Sequence, residues 1–283
     1  MFNKKQFAHV FDITSFENLV VDLIGTDLVI RQADQPEVIY YDEKNNHKRL
    51  EINQNSTTLK IKEKRCLSGL KNSLAFKFLI GKRRLEIKLP KKDFKKLTAS
   101  VTSGDVAISN VDIKDVDLST GSGAVTIAYA KIEKFKLLTK DSNLVMKMTD
   151  IDKAAIESNT GAILFDQTNV LNNIMATISE GDLKMRNVEI NDGLITLGEG
   201  DVNINTFENT GDFKLTTDVG DISLRNIKTP SITIAAVRGN DLDNPDVIKG
   251  FPMHKQGTPG ATFLTTAGHL DVYKDIEIIN NPK

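Results

Sequence analysis

Apolar and polar residues alternate along most of this chain, and the alternation restarts about every 19–20 residues. A short turn signal marks each restart, as in Ser103-Gly104-Asp105 and Glu180-Gly181-Asp182. Apolar residues stand two and four positions after the middle residue of the turn, and seven and five positions before it. Side chains two positions apart lie on one face of a strand. Each repeat is therefore predicted to hold two strands joined by the turn, followed by a longer return loop.

The middle residues of the turns predict how the repeats are arranged. They are Gly104, Gly123, Ser142, Gly161, Gly181, Gly200 and Gly220, separated by 19 or 20 residues. A fixed period of this size is typical of a solenoid, whose strands bury their apolar face only by stacking coil upon coil. Glycine supplies the positive φ of a tight turn, and Asn143 is expected to take that role beside Ser142. The predicted fold is all-β, a single-stranded parallel β-helix.

The repeat is regular in only part of the chain. Residues 1–84 are predicted to form an N-terminal capping β region with an irregular loop, although Gly25-Thr26-Asp27 resembles a degenerate early turn. Residues 85–283 are predicted to form the β-helix repeats, interrupted by an inserted loop at 240–260 that is rich in Pro, Gly and Asp. After this loop the pattern resumes before Gly268.

Composition narrows the classes of function. The formal net charge of −1 argues against a nucleic-acid binder. The single cysteine, Cys66, excludes an intrachain disulfide. The sequence shows neither the apolar core of a secretory signal nor 18 consecutive apolar residues. The expected location is the cytoplasm, or the cell surface if a signal has been trimmed or export is non-classical. The oligomeric state is not predicted.

A column of acids follows the turns, since Asp182, Asp201 and Asp221 occupy the same slot in successive repeats. Stacking would bring these carboxylates within about 5 Å of one another. Oxygen-rich columns of this kind bind calcium in some β-rolls, which makes calcium the one candidate cofactor. The alternative, and the favoured interpretation, is that each Asp caps its turn with a backbone hydrogen bond.

A basic stretch provides a candidate binding site. It contains Lys88, Lys91, Lys92, Lys95 and Lys96. Such a stretch is suited to an anionic polymer, including cell-wall polysaccharide and teichoic acid, or to lipid headgroups. The alternative is a solvated strand edge whose charges prevent aggregation.

Sugar binding by an aromatic platform is not expected, because the chain has no Trp and only four Tyr. Weaker binding along polar ladders remains open, with Thr177, Thr196 and Thr216 predicted to face solvent near Lys214. Catalysis has little support, since the four histidines share no metal-ligand spacing and no nucleophile or phosphate-loop motif occurs. The alternative of a polysaccharide-degrading enzyme would place its site in the inserted loop, at Asp241, Asp243, Asp246, His254 and Lys255.

The recurring strand–turn–strand unit is seen in residues 97–108, 118–127 and 215–224. It resembles a bacterial adhesin family of unknown function, which is related to the head domains of autotransporter adhesins. The resemblance implies a parallel β-helix, a bacterial source and a non-enzymatic role at the cell envelope, in adhesion or polysaccharide binding. Some Gram-positive members act in envelope-stress responses, so an intracellular regulatory or scaffold protein is an alternative. The resemblance brings no catalytic residues.

Overall fold

The computed structural model describes residues 7–43, 47–64, 83–90, 94–236, 246–247, 259–272 and 276–279. These residues form strands joined by short connections, with one 3₁₀ turn at His47–Arg49 and no α-helix in the described ranges. Nowhere in those ranges is there a helix long and apolar enough to cross a lipid bilayer.

The strands divide into an N-terminal group, a regular repeat and a C-terminal group. The N-terminal strands are β1 (Phe7–Phe11), β2 (Asn18–Leu23), β3 (Asp27–Ala33), β4 (Glu37–Asp42), β5 (Leu50–Gln54), β6 (Thr58–Glu63) and β7 (Arg83–Pro90). The repeat strands are β8 (Phe94–Ser103), β9 (Val106–Ser122), β10 (Val125–Asp141), β11 (Leu144–Thr160), β12 (Ile163–Glu180), β13 (Leu183–Glu199), β14 (Val202–Asn209), β15 (Asp212–Val219) and β16 (Ile222–Thr229). The C-terminal strands are β17 (Ile232–Ala236), β18 (Asp246–Val247), β19 (Gly260–Ala267), β20 (Leu270–Val272) and β21 (Ile276–Ile278).

The repeat strands stack in parallel, each on the equivalent strand of the next coil. Val125 on β10 is in register with Val106 on β9 and with Leu144 on β11, and the alignment continues along the full strands. The apolar positions beside the turns are buried in a single continuous core. The predicted single-stranded parallel β-helix is confirmed.

The return segment of each coil differs from the prediction, because it is a strand and not a loop. Six positions after each turn residue, one residue adopts a left-handed conformation and turns the chain through a second corner. These residues are Asn110, Tyr129, Met148, Gln167, Asn187, Thr206 and Asn226, with φ between 50° and 65°. The chain then continues as a strand whose inward residues, such as Val111 and Ile113, join the core. A corner made by a single residue leaves no need for a loop.

A third corner absorbs the difference between 19-residue and 20-residue coils. The register between β12 and β13 shifts between Val170 and Asn173, where β12 contains the additional residue. In the next long coil, Thr210 and Gly211 occupy the equivalent gap between β14 and β15. Pairing is regular on both sides of this corner, so the extra residue does not disturb the columns.

The glycine column allows successive turns to approach closely. Gly181 has a φ of 142°, and a Cβ placed on it would lie 2.3 Å from the carbonyl oxygen of Gly161. The same overlap, at 2.0–2.3 Å, recurs along the column from Gly123 to Gly268. Ser142 is not among the residues with positive φ. Its buried hydroxyl lies 3.1 Å from the hydroxyl of Thr120.

The N-terminal strands extend the stack, but their order in space differs from their order along the chain. Strands β2 and β3 pair in parallel with β8 and β9, and β6 and β7 pair in parallel with the other edges of β2 and β3. Strands β1, β4 and β5 run antiparallel and cover this end, as an irregular β cap. The division predicted at residue 84 stays a prediction.

A buried polar cluster lies between the cap and the first coils. The Arg83 guanidinium donates to the Glu63 carboxylate, and Nη2 of Arg83 donates to the carbonyl oxygen of Gly25 at 3.0 Å. Glu63 also accepts the backbone N–H groups of Ile24 and Gly25, at 2.8 and 3.0 Å. Burial raises the pKa of the neighbouring Tyr40 hydroxyl, and the nearby carboxylates reinforce the shift against the opposing charge of Arg83.

At the C-terminal end, too, the order of the strands in space differs from their order along the chain. Strand β19 stacks directly on β15, while β17, which precedes it in sequence, pairs with the other edge of β19. The pattern therefore resumes before Gly268, as predicted, but β17 is not the next coil in space. Within the predicted inserted loop, β18 pairs antiparallel with β17, and residues 240–245 and 248–258 lie outside the described ranges.

Candidate binding face

The strand segments that lead into the glycine turns form a surface with up to four outward side chains per coil. We call this surface the broad face. From β8 to β19, its outward residues are Lys96, Thr98, Ser100 and Thr102; Asp115, Asp117, Ser119 and Gly121; Lys134, Lys136, Leu138 and Lys140; Lys153, Ala155, Glu157 and Asn159; Asn173, Met175, Thr177 and Ser179; Asp192, Leu194, Thr196 and Gly198; Asp212, Lys214, Thr216 and Asp218; and Thr262, Leu264 and Thr266. Residues of adjacent rows are in register, so they form columns that run along the solenoid, with about 4.8 Å between successive residues of a column.

An open concavity of about 680 Å³ lies on the broad face, across β12, β13, β15 and β19. Its lining combines two exposed apolar side chains, those of Met175 and Leu194, with polar groups. The lining residues are Asn173, Met175, Asp192, Gly193, Leu194, Asp212, Lys214 and Thr262. Met175 is 60% exposed and Leu194 is 41% exposed. Apolar surface of this kind, bordered by a few polar groups, is typical of ligand sites.

Gly193 is part of the lining of the concavity. It occupies an inward position, between Ile174 and Phe213 in adjacent coils. A Cβ on Gly193 would lie 2.4 Å from Cγ2 of Ile174, so this strand approaches its neighbour more closely than a side chain permits. A side chain at this position would therefore force Ile174 or the strand to move.

Hydrogen bonds fix the position of the Asp192 side chain in the concavity. Oδ1 of Asp192 accepts the backbone N–H of Asp212 at 2.7 Å, and Oδ2 of Asp192 accepts from the Asn191 amide at 3.3 Å. Lys214, in contrast, has no ion pair within 4.0 Å among the described residues. The site therefore offers fixed acceptors and one uncompensated cation.

The sequence placed Thr177, Thr196 and Thr216 in a polar ladder, and all three lie in one column of the broad face. Met175 and Leu194 were not identified. The available signal was an apolar residue at an outward position in two successive repeats.

The predicted basic stretch is largely compensated by neighbouring acids. Lys88 donates to the Glu37 carboxylate. Lys95 is 2.6 Å from Glu17, and Lys96 is 3.3 Å from Asp115. Lys91 and Lys92 lie outside the described residues. The structure thus brings Lys88, Lys95 and Lys96 to carboxylates, and a role for this stretch in binding stays a prediction.

The predicted acid column forms a ladder of hydrogen bonds between coils. Oδ1 of Asp182 accepts the N–H of Asp201 at 3.1 Å, and Oδ1 of Asp201 accepts the N–H of Asp221 at 2.9 Å. Oδ1 of Asp221 accepts the backbone N–H of His269 at 2.7 Å. Each carboxylate therefore accepts a hydrogen bond from the backbone of the next coil and not from its own turn.

The same ladder recurs earlier in the chain. Asp27 accepts the N–H of Asp105, and Asn143 accepts the N–H of Ala162, at 3.0 and 2.8 Å. No group of three or more His, Cys, Asp or Glu side chains in the described ranges is arranged to hold a metal ion. Calcium binding at Asp182, Asp201 and Asp221 stays a prediction. The enzyme alternative places its site at Asp241, Asp243, Asp246, His254 and Lys255. The side chains of these residues lie outside the part of the chain that the structure describes.

Three solved structures share this fold. A "putative lipid binding protein" from Parabacteroides distasonis ATCC 8503 has 13% identity and a TM-score of 0.57, with 96% of this chain and 98% of that chain covered. A "putative adhesin" from Parabacteroides merdae ATCC 43184 has 14% identity and a TM-score of 0.55, with the same coverage. A "putative adhesin" from P. distasonis ATCC 8503 has 14% identity and a TM-score of 0.52, covering 95% and 98%. Similarity at these identities concerns the fold alone.

No curated protein matches the sequence. The sequence matches the family described as Toastrack DUF4097 over residues 16–236, which includes the N-terminal coils and the whole regular repeat. The glycine column and both predicted strands of every repeat from β8 to β16 fall within this match. The chain therefore belongs to the Toastrack DUF4097 family.

Proposed function

We propose that this protein is a non-enzymatic binding module of the bacterial cell envelope that holds a polysaccharide along its broad face. One observation supports the proposal above the others, namely the concavity with Met175 and Leu194 at its surface and hydrogen-bonding groups around them. A sugar ring presents an apolar C–H face and a rim of hydroxyl groups, which match these two kinds of surface. The name adhesin, given to two of the structural neighbours, motivates the envelope setting.

The arrangement suits binding more than catalysis. Asp192 is committed to the backbone of Asp212 and to the side chain of Asn191, which fixes its position and occupies both of its carboxylate oxygens. The surrounding sheet is continuous, with each strand paired on both sides, so the site is preorganised and little conformational entropy is lost on binding. A polymer that runs along the solenoid would contact several coils at once, so that several weak contacts add to the total affinity.

The test is retention of the full chain on immobilised cell-wall polysaccharides from Gram-positive and Gram-negative bacteria. A Met175→Asn/Leu194→Asn variant replaces the apolar surface with polar amides without changing the charge, and is expected to weaken binding about 10- to 100-fold, because burying one such apolar side chain contributes about 1.5–3 kcal/mol. Val219→Asn is the matched control, since Val219 is 50% exposed but lies outside the broad face.

Two results would contradict the proposal. If the wild-type protein is retained on none of the polysaccharides, it is not a polysaccharide-binding module. If the double variant is retained as well as the control, the concavity is not the site. Cell fractionation tests the envelope setting separately, and recovery of the protein only in the soluble cytosolic fraction would refute it.

A further inference from the structure

Three lysines form an uncompensated cluster on the broad face. Lys134 and Lys136 lie on β10, and Lys153 lies in register with Lys134 on β11. All three side chains are exposed. Among the described residues, none of the three has a carboxylate oxygen within 4.0 Å. Like charges opposite one another on adjacent strands destabilise a sheet, so the cluster carries a cost that an anion between the ammonium groups would remove.

Two other cations of the solenoid have acidic partners in an adjacent coil. Arg186 is 3.2 Å from Asp166, and Lys228 is 3.5 Å from Glu277. On the far side of the cluster, Asp115 is in register with Lys134 but pairs with Lys96 at 3.3 Å. Asp117 is in register with Lys136 without forming an ion pair. The cluster is thus bordered by acids on β9 and is open toward β12.

The open side of the cluster leads directly into the concavity. Lys153 is in register with Asn173, and Ala155 is in register with Met175. A continuous column therefore runs from Lys136 through Ala155, Met175 and Leu194 to Lys214. Lys136 and Lys214, which form no ion pair among the described residues, stand at the two ends of this column, with the apolar contact between them. Asp192 and Asp212 lie beside Lys214 in the neighbouring column, so the lysine cluster is the more cationic end.

We infer that the ligand is an acidic polysaccharide whose carboxylate or phosphate groups pair with Lys134, Lys136, Lys153 and Lys214. Its sugar rings pack on Met175 and Leu194, while its chain runs along the solenoid axis, across the strands. Lysine ammonium groups on flexible stems suit repeating anionic groups whose spacing need not match the coil spacing. This inference rests on the proposed function and adds to it the charge class of the ligand and a second contact region.

The experiment compares two triple variants of the full chain with equal loss of charge. Lys134→Gln/Lys136→Gln/Lys153→Gln removes the cluster. The matched control, Lys147→Gln/Lys184→Gln/Lys228→Gln, removes three exposed lysines that lie outside the broad face. Affinity is measured for polygalacturonate, for a phosphomannan, for neutral dextran and for single-stranded DNA, at low and high salt. Far-UV circular dichroism and melting check that both variants fold.

The wild-type protein is expected to prefer the acidic glycans, and the cluster variant to lose about tenfold or more of that affinity. The control is expected to stay close to wild type, and the salt dependence is expected to be weaker in the cluster variant only. The better of the two acidic glycans identifies carboxylate or phosphate as the recognised group.

Several results separate the inference from the proposed function. Equal affinity for dextran and the acidic glycans would overturn the inference and leave the proposed function standing. Equal losses in the two triple variants would overturn the assignment to the cluster. Binding to DNA as tight as to the acidic glycans would overturn the assignment to a polysaccharide, and binding to none of the glycans would overturn both proposals.

Discussion

A methyl group at Gly181 is expected to be strongly destabilising. Gly181 has a φ of 142°, a conformation that residues with a Cβ rarely adopt. A Cβ there would lie 2.3 Å from the carbonyl oxygen of Gly161 and 2.7 Å from its carbonyl carbon. Those are backbone atoms of the neighbouring coil, so the overlap is relieved only by moving a strand. The N–H of Gly181 also donates to the carbonyl oxygen of Glu199 at 2.8 Å, which restricts such a movement.

The expected cost has two components. The backbone conformation contributes about 1–3 kcal/mol, and the steric overlap contributes about 1–3 kcal/mol. Their sum, about 2–6 kcal/mol, corresponds to a fall in Tm of about 4–12 °C for a chain of this size. Ser142→Ala is the control in the same column, because Ser142 already carries a Cβ and is not at positive φ. It loses only the buried contact with Thr120, at a cost of about 1 kcal/mol.

Thermal melting followed by circular dichroism measures both variants, and urea denaturation gives the corresponding free energies of unfolding. If Gly181→Ala melts at the same temperature as Ser142→Ala, the inference that successive turns are too close together for a Cβ is wrong. A large loss in Ser142→Ala would instead show that the column is sensitive to any substitution, and the steric explanation would fail.

Three further predictions concern other columns and the cap. Thr206→Asn is expected to stabilise the protein by about 1 kcal/mol in urea denaturation, because Thr206 is β-branched at a φ of 65° and Asn accepts this conformation more readily. Asp201→Asn is expected to retain the hydrogen bond from Asp221 and to leave the Tm unchanged with calcium or chelator, whereas Asp201→Ala loses about 0.5–1.5 kcal/mol. Tyr40→Phe is expected to lose less stability than wild type as the pH rises above 10.0, measured by urea denaturation at several pH values.

The sign of the Tyr40 effect follows from the raised pKa of its hydroxyl. Above pH 10.0 the unfolded chain loses this proton while the folded protein retains it, so the stability present below pH 10.0 declines as the pH rises. Parallel pH profiles for wild type and Tyr40→Phe would contradict this. Destabilisation by Thr206→Asn would contradict the strain at that corner. A calcium-dependent Tm that Asp201→Asn abolishes would establish a metal site in place of a purely hydrogen-bonded ladder.

The regular part of the fold was predictable because its signals are local. The alternation of Val106 and Ile108 with polar neighbours, repeated at a constant distance from a glycine, specifies a strand, its inward face and its neighbour in the stack. The second corner carries only a partial signal in the sequence. Asn110, Asn187 and Asn226 are of the residue type that accepts a left-handed conformation, but Tyr129 and Met148 at the equivalent positions are not. The corner is therefore recognised only when these positions are compared at the period of the repeat.

The site was less predictable, for two physical reasons. The acids that compensate Lys88 and Lys95 come from Glu37 and Glu17, at distant positions that meet only because the strands of the first coils stack out of sequence order. The lining of the concavity includes Gly193, whose inward position is clear from the pattern but whose close approach to the neighbouring coil is not. The lysine cluster, in contrast, follows from writing the repeats in register.

The third corner gives this solenoid a tolerance that its other two corners lack. An additional residue near Leu171 is accommodated without changing the pairing of the strands on either side. Residues inserted between Leu171 and Asn172 would therefore project outward and leave the pairing of the strands intact. A family built on this plan can diversify by indels at one edge, and the same edge is the natural place to graft a foreign peptide for display.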